Sequence, residues 1–390
     1  MKVLIINDHK SGGGAESVVA MQHELLKKII SVDVLYGDEL CPEINFFSYI
    51  YSHKVKKAVV NKLKDERYDI VHLHNFYHVL SPAVLTALEQ AKKTNSKLKV
   101  IFTAHDYHLV CPNSGYYYLK NNSIINFQIN DKWPRMFIKK IDKRSVIHNL
   151  LKKAQWFNAY VLHDYRKVID VITTPSFFLK QVMLEHFNAD VRMIRNPSTP
   201  VKNSPETFKK STDDKLQLVF FGRLSVEKGL NELIKLLSQI DDIAYDFSII
   251  GDGPEYHELI KLVKRYQLTD KINFMGKMER SELLASLKKY DLFVLPSVWY
   301  ENAPMSILEA AQAGLMIATP DHGGMTEMVE AVGGGYHFNY TNPETLKICL
   351  KDAQKMKHEV RQKHYNNFED FLPETFCNKM IDLYESVLHG

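Results

Sequence analysis

Residues 291–314 read DLFVLPSVWYENAPMSILEAAQAG, and this stretch indicates a strand, a loop and a helix in succession. The apolar run 291–295 predicts a strand that ends at a proline. Residues 305–313 are good helix-forming sequence, with Gly314 as the C-cap. Pro304 suits the first helical turn, where its missing N–H costs nothing. Strand, loop and helix in this order form the repeating unit of α/β proteins with parallel sheets.

Short apolar runs alternate with amphipathic segments along the whole chain, and this alternation predicts an α/β fold. A length of 390 residues suits two domains, and the Pro- and Ser-rich segment 196–214 is the best candidate for a linker. Strands are predicted near 2–7, 32–36, 69–73, 98–103, 170–173, 191–195, 216–222, 245–250, 272–275, 291–295, 315–319 and 335–338. Helices are predicted near 14–29, 49–65, 80–92, 176–186 and 374–389.

The composition is that of an ordinary globular protein, with 45% hydrophobic and 25% charged residues. The sequence has no run of about 18 apolar residues, and its first residues indicate a strand rather than a signal peptide. The four cysteines lack pairing or metal-ligand spacing and fit reduced thiols. The net charge of +4 gives no reason to expect a nucleic-acid partner. These features predict a cytoplasmic protein.

Glu301 and Glu309 lie on either side of the predicted helix start. Glu301 falls in the loop, at the mouth of the expected site, and Glu309 falls between one and two turns into the helix. Free N–H groups near 304–306 would attract an anion, and the two carboxylates could accept hydrogen bonds from sugar hydroxyls. A nucleotide sugar, with phosphates between two hydroxylated rings, fits this pattern. Two glutamates at this spacing also occur by chance in many helical proteins.

A second motif, FFGRLSVEKG at 220–229, follows a predicted strand and opens a helix. Gly222 permits a sharp turn, and Gly229 begins the helix. Arg223 and Lys228 then project from a strand-to-helix loop, the position at which open α/β sheets bind ligands. Two cations there could neutralise a diphosphate leaving group. A solvated basic loop is the alternative interpretation.

The glycine-rich loop SGGGAE at 11–16 follows the first strand and opens the first helix. The backbone N–H groups of Gly13 and Gly14 could approach a phosphate or an acceptor closely. The loop is neither a P-loop nor a clean dinucleotide-binding fingerprint, and an ordinary tight turn is the simpler interpretation. Glu16 could instead cap its own helix.

Histidines cluster at two strand ends of the first half. His105 closes the strand near 98–103, and of the 17 histidines it is the one we expect in the site. His72, His74 and His78 have a spacing that could suggest a metal site, but no carboxylate set stands nearby. We therefore favour a cleft wall or acceptor contacts for these three residues.

Together, these motifs resemble the Glu-x7-Glu signature, the Gly-Arg…Glu-Lys-Gly loop and the His-Asp strand end of the GT4 family. These proteins are retaining GT-B glycosyltransferases, also called glycosyltransferase group 1. The resemblance covers nearly the whole chain and is strongest over 217–330. It implies a Rossmann-like acceptor domain at 1–200, a Rossmann-like donor domain at 201–372 and a cleft between them. It also implies that a helix at 373–390 packs back on the first domain.

The resemblance further implies roles for individual residues. Glu301 would bind the donor sugar, Glu309 would bind the ribose, and Arg223 and Lys228 would replace a metal ion at the diphosphate. His105 would contact the donor sugar or its phosphate. The implied catalytic residues are His105, Glu301, Arg223 and Lys228. The implied donor-binding residues are Gly13, Gly14, Gly222, Arg223, Lys228, Gly276, Lys277, Glu301, Asn302, Pro304, Met305, Ser306 and Glu309, with no metal and no cofactor.

The activity implied by the resemblance is retaining, metal-independent transfer of a sugar from a UDP- or GDP-sugar to a hydroxyl acceptor. A glycan or lipid-linked acceptor in the synthesis of bacterial capsule, O-antigen or exopolysaccharide is the expected substrate class. An epimerase or phosphorylase on the same fold, or a non-catalytic nucleotide-sugar-binding protein, are the alternatives. The basic, aromatic segment 133–157 has roughly helical spacing and could lie on the inner face of an anionic membrane. It could equally pack on the first domain.

Overall fold

The described chain of the computed structural model comprises residues 1–41, 43, 45–121, 123–198, 215–357 and 368–390. It divides into two units. The first unit joins Met1–Pro197 to Asp370–Gly390, and the second is Ser198–Glu369. Most of the linker predicted at 196–214 lies outside the described residues.

Strands and helices alternate in both units. The strands are β1 (Lys2–Asn7), β2 (Ser31–Tyr36), β3 (Ile70–Leu73), β4 (Lys99–Thr103), β5 (Tyr117–Lys120), β6 (Ser123–Asn126), β7 (Val171–Thr174), β8 (Asp190–Met193), β9 (Leu216–Phe221), β10 (Tyr245–Ile250), β11 (Ile272–Gly276), β12 (Leu292–Val294), β13 (Met316–Pro320) and β14 (Tyr336–Phe338). The helices are α1 (Gly14–Leu26), α2 (Gly37–Leu40), α3 (Phe46–Ile50), α4 (His53–Asp65), α5 (Ala83–Thr94), α6 (Trp133–Phe137), α7 (Val146–Phe157), α8 (Phe177–His186), α9 (Leu230–Leu237), α10 (Tyr256–Arg265), α11 (Arg280–Ser286), α12 (Met305–Gln312), α13 (Gly324–Ala331), α14 (Pro343–Met356) and α15 (Pro373–His389).

Each unit is built on a six-stranded parallel sheet. The strand order is β2-β1-β3-β4-β7-β8 in the first unit and β11-β10-β9-β12-β13-β14 in the second. In each sheet the chain starts at an inner strand, runs to one edge and then continues on the other side of the starting strand. This reversal places a topological switch point between β1 and β3 and another between β9 and β12. Open α/β sheets bind ligands beyond the carboxyl ends of the strands at such points.

The last helix, α15, belongs to the core of the first unit. Its apolar side chains recur at helical spacing and pack against buried residues of α1, β1, β3, β4 and β7. The buried residues that α15 contributes are Phe376, Cys377, Met380, Leu383, Tyr384 and Val387.

The sequence predicts most of this frame, and the α/β fold class is confirmed. Every predicted strand matches an observed strand to within two residues at each end. The helix predicted at 49–65 is two helices, α3 and α4, because Ser52 caps α4 by accepting a hydrogen bond from the Val55 N–H at 3.3 Å. The antiparallel pair of β5 and β6 is an element that the apolar pattern did not predict.

The basic segment 133–157 does not form the single helix that its roughly helical spacing suggested. It contains α6 and α7, and residues 138–145 between them are not helical. Ser145 caps α7 by accepting a hydrogen bond from the His148 N–H at 3.2 Å, so the second helix has its own start signal.

Candidate active site

Two neighbouring strands of the second sheet, β9 and β12, end at the switch point, and the loops after them carry most of the predicted donor residues. The loop after β9 leads to α9, and the loop after β12 leads to α12. The two loops are in contact, because the Val298 N–H donates a hydrogen bond to the Glu227 carbonyl at 3.0 Å. The structure therefore brings the motif at 220–229 and the motif at 297–309 together.

The Glu301 carboxylate is the centre of this arrangement. Its Oε1 atom lies 2.6 Å from Lys228 Nζ and accepts a hydrogen bond from Ser297 Oγ at 2.6 Å. The side chain of Glu301 is only 8% exposed, and that of Lys228 is 21% exposed. Burial alone would raise the pKa of Glu301, but the Lys228 ammonium and the hydrogen bonds hold that pKa below its ordinary value. The site thus holds a fixed, ionised carboxylate beside a cation.

Glycine is required where the β9 loop meets the end of β12. Gly229 has φ +69°, and a Cβ atom there would lie 1.7 Å from the Pro296 carbonyl oxygen. Gly229 is the N-cap residue of α9 and directly follows Lys228. Close approach of the two backbones at this point places the Lys228 side chain against Glu301.

Arg223 differs from Lys228 in its surroundings. Gly222, with φ +151°, turns the chain at the end of β9, and the Arg223 side chain that follows is exposed. Its guanidinium forms no hydrogen bond or ion pair with the residues that the structure describes. One predicted cation is therefore committed to Glu301, and the other is available to a ligand.

The Glu301 loop is supported from behind by the start of α13, which the sequence analysis missed. The Gly324 N–H donates a hydrogen bond to the Glu301 carbonyl at 2.7 Å. A Cβ atom at Gly324 would lie 1.6 Å from the Asn302 carbonyl oxygen, so only glycine permits this approach. His322 Nε2 lies 2.9 Å from the Ser297 carbonyl and holds the beginning of the loop. The signal in the sequence was the His-Gly-Gly run at the end of a strand.

Glu309 lies on α12, five residues into the helix, as the sequence predicted. Its Oε1 atom is 2.6 Å from Arg280 Nη2, at the start of α11. Burial raises the pKa of Glu309, and the charge of Arg280 opposes this shift. Sequence analysis did not find Arg280, because no local motif surrounds it.

The remaining predicted donor residues of the second unit lie near these loops. Asn302 is buried, Pro304 is the N-cap residue of α12 rather than part of its first turn, and Met305 and Ser306 are half-buried in that turn. Gly276 ends β11 with φ +72°, and Lys277 after it is exposed. These last two residues lie further along the same edge, because β10 separates β11 from β9.

In the first unit, Gly13 and Gly14 form the exposed start of α1. The Gly13 N–H donates a hydrogen bond to Glu16 Oε2 at 2.9 Å. The prediction that Glu16 caps its own helix is therefore confirmed. A phosphate could reach the Gly13 N–H only if the Glu16 carboxylate moved away.

His105 follows β4 in the first unit and is joined to a buried histidine. His74 Nδ1 lies 2.8 Å from His105 Nε2, and the two rings stack with centroids 5.1 Å apart. His72 also stacks on His74, with ring centroids 4.6 Å apart, and contacts the Tyr384 hydroxyl of α15 through Nδ1 at 2.7 Å. Burial lowers the pKa of His105 to about 4, so this ring is neutral at physiological pH. Its role at the donor rests on the resemblance alone and stays a prediction.

Within the described residues, no three His, Cys, Asp or Glu side chains are arranged to hold a metal ion. His72 and His74 instead bond to neighbouring polar groups, and burial lowers the pKa of both. Their partners explain the spacing that suggested a metal site.

Comparison with solved structures first defines the class. The crystal structure of Anabaena HepE in complex with UDP covers 99% of this chain and 100% of its own, with a TM-score of 0.63 and 18% sequence identity. A likeness at this identity shows the fold, which is GT-B, and the predicted fold class is confirmed. The fold by itself does not define a substrate.

Sequence comparison then matches part of the chain to a known family. Residues 203–370 match the model of the family described as glycosyl transferases group 1. An Escherichia coli protein assigned as the colanic acid biosynthesis glycosyltransferase WcaL is 32% identical over 45% of this chain. A 42.6 kDa protein in the cps region of Klebsiella pneumoniae is 28% identical over 72% of it. The matched region spans 47% of the length of WcaL and 64% of the length of the Klebsiella protein.

Proposed function

We propose that the protein is a glycosyltransferase that moves a sugar from a nucleoside diphosphate sugar to a hydroxyl group of an acceptor. The proposal rests chiefly on the Glu301–Lys228 pair, a buried carboxylate and an ammonium group 2.6 Å apart at a switch point. A carboxylate fixed there accepts hydrogen bonds from sugar hydroxyls, and a cation beside it stabilises a departing diphosphate. UDP is the favoured nucleotide, because the similar structure of HepE contains UDP.

The two cations would act differently on the leaving group. Lys228 donates one of its three N–H bonds to Glu301 and keeps the others for the diphosphate. Arg223 is exposed and could close on the phosphates as a planar fork, so positive charge would be supplied without a metal ion. Glu309 would bind the ribose hydroxyls.

Retention of anomeric configuration is part of the proposal, and we favour front-face displacement. Glu301 makes a poor covalent nucleophile, because its carboxylate is bonded to Lys228 and Ser297 and its pKa lies below the ordinary value. Its role would be to orient the sugar while the diphosphate leaves. The anomeric configuration of the product, determined by NMR, tests this part directly.

Calorimetry without added metal should show that the protein binds UDP and that Arg223→Ala weakens this binding by about tenfold. The expected loss corresponds to one charge-assisted hydrogen bond to phosphate. Arg265→Ala, which removes an exposed arginine from α10, is the matched control and should bind UDP as the wild type does. Failure to bind UDP, GDP or their sugar conjugates would refute the proposal. Binding without any sugar transfer or donor hydrolysis would favour a non-catalytic binding protein.

The acceptor is proposed to be a growing cell-surface polysaccharide. The name of WcaL refers to colanic acid biosynthesis, and the Klebsiella relative is described as lying in a cps region. A lipid-linked acceptor would require the protein to work at a membrane surface. None of the helices in the described part of the chain has the length and apolar character that crossing a bilayer requires.

A surface of the first unit suits contact with an anionic bilayer. Val146, Ile147 and Leu150 share one face of α7 and are each more than half exposed. Helix α3, which packs against α7, exposes two phenylalanines. The segment from 132 to 153 carries eight Lys and Arg residues, and its one acidic residue, Asp142, is buried in ion pairs with Arg144 and Lys152. The positive charge and exposed apolar side chains together favour peripheral membrane contact.

Sedimentation with vesicles tests this surface. The protein should bind vesicles of phosphatidylcholine with about 30% phosphatidylglycerol much better than pure phosphatidylcholine, because each basic residue near the surface contributes about 1 kcal/mol. Replacing Lys139, Lys140, Lys143 and Arg144 with glutamine should abolish the preference. Replacing Lys264 and Arg265 in the second unit should not. Equal binding of the two variants to the anionic vesicles would show that the surface around 132–153 does not bind the membrane.

A further inference from the structure

Arg280 and Glu309 form an ion pair whose position is unusual. Arg280 begins α11, which follows β11, and Glu309 lies on α12, which follows β12; the two strands are separated in the sheet by β10 and β9. With strands about 4.8 Å apart, the two strand ends are separated by roughly 14 Å. The ion pair at 2.6 Å therefore joins two chain segments whose preceding strands lie on either side of β10 and β9. This edge is where an open α/β sheet holds its ligand.

The two partners are in unequal environments. The Glu309 side chain is 13% exposed, whereas that of Arg280 is 59% exposed. Burial favours the neutral form of a carboxyl group, and a neutral carboxyl accepts hydrogen bonds poorly. Arg280 brings a positive charge to Glu309 Oε1 and favours the ionised form. Glu309 Oε2 forms no hydrogen bond with the residues that the structure describes.

We propose that Arg280 is a positioning residue for the donor nucleotide, acting through Glu309. Arg280 keeps its positive charge beside Oε1, favours the ionised carboxylate and leaves Oε2 to accept hydrogen bonds from the ribose hydroxyls. The inference rests on the proposed function, because it assigns the ribose to Glu309. It adds a prediction of its own: Arg280 determines how well the site distinguishes ribose from deoxyribose.

The pair could instead serve only to tie α11 to α12. An ion pair of that kind would contribute modestly to stability and nothing to ligand discrimination. The two interpretations therefore predict different effects of an Arg280 substitution on the ratio of UDP to 2′-deoxy-UDP affinity. A purely structural pair would leave the ratio of UDP to 2′-deoxy-UDP affinity unchanged, even if the unfolding temperature fell.

Calorimetry with UDP, 2′-deoxy-UDP and pyrophosphate measures this ratio. The wild type should prefer UDP to 2′-deoxy-UDP by about tenfold, the effect of one hydrogen bond to a charged group. Arg280→Ala and Glu309→Ala should both reduce the preference to about twofold or less while leaving pyrophosphate affinity unchanged. Arg280→Lys should keep most of the preference, because it retains the positive charge. Any loss would reflect the missing planar guanidinium group. Arg265→Ala serves as the control.

Each calorimetric outcome leads to a different conclusion. If Glu309→Ala loses the preference and Arg280→Ala keeps it, the role of Arg280 is refuted while the donor site stands. If both variants keep it, the ribose is bound elsewhere and the inference is wrong. If the wild type binds neither nucleotide, the proposed function fails, and this inference fails with it.

Discussion

Lys228→Met is expected to lower the rate of sugar transfer by about 100-fold or more and to destabilise the protein by about 3 kcal/mol at neutral pH. The variant leaves the Glu301 carboxylate buried, with Ser297 as a partner but without the cation beside it. Removing one partner of a buried ion pair is costly because the other charge stays desolvated. The rate falls because the leaving diphosphate loses a cation and the carboxylate loses its fixed position.

A double-mutant cycle separates the two effects. Lys228→Met together with Glu301→Gln leaves no buried charge, so the free energy of unfolding in urea should return to within about 1 kcal/mol of the wild type. Transfer should stay low in the double variant, because neither group can act. Lys235→Met, at an exposed position of α9, controls for the loss of a lysine. Equal stabilities for Lys228→Met and Lys235→Met would contradict the argument.

The same pair gives stability a pH dependence of defined sign. The pKa of Glu301 is lowered in the folded protein, so the pair contributes stability above the ordinary carboxyl pKa and loses it as the pH falls through the lowered value. Without Lys228, burial would dominate and raise the pKa of Glu301. Protonation of Glu301 would then remove the buried, unpaired charge, so the variant would be less destabilised in acidic solution. The difference in unfolding free energy between wild type and Lys228→Met should therefore be larger at about pH 7.5 than at about pH 5.

The parallel sheets could be predicted from the sequence because both faces of their strands are buried. In β9 and β13 nearly every residue is buried, and such strands are short apolar runs that a reader can find one by one. The pair of β5 and β6 could not be found in this way, because none of its residues is buried and the two strands form no buried apolar run. Ser52 and Ser145 each cap a helix, and each therefore divides a segment that composition alone would predict to be one continuous helix.

The candidate site was predictable where it rests on a local motif. Arg223 and Lys228 are placed by glycines within the same ten residues, and Glu301 and Glu309 flank one helix start. Arg280 was not predictable, because only the strand order brings it to Glu309. The bond between Glu301 and Lys228 joins residues 73 positions apart, and the resemblance placed both at the site without indicating their contact.

Gly324→Ala is expected to lower the rate of sugar transfer by about 100-fold while UDP affinity changes by less than about threefold. The added Cβ atom would lie 1.6 Å from the Asn302 carbonyl oxygen and 2.9 Å from that of Glu301. Both atoms belong to the backbone, so no side-chain rotation relieves the clash. Either α13 or the Glu301 loop must move by about 1 Å, and a displacement of that size in a catalytic group costs about 100-fold in rate.

The affinity is expected to survive because neither residue proposed to bind the nucleotide lies within the displaced loop: Arg223 follows β9, and Glu309 lies in the second turn of α12. Steady-state transfer assays and calorimetry with UDP on the same preparation measure the two quantities, and circular dichroism confirms that the variant is folded. Glu330→Ala, at an exposed position of α13, controls for substitution in this helix and should behave as the wild type. Normal turnover by Gly324→Ala would mean that the contact with α13 does not set the position of Glu301. If Gly324→Ala lost both UDP binding and turnover, α13 would support the whole donor site and not only the part that binds the sugar.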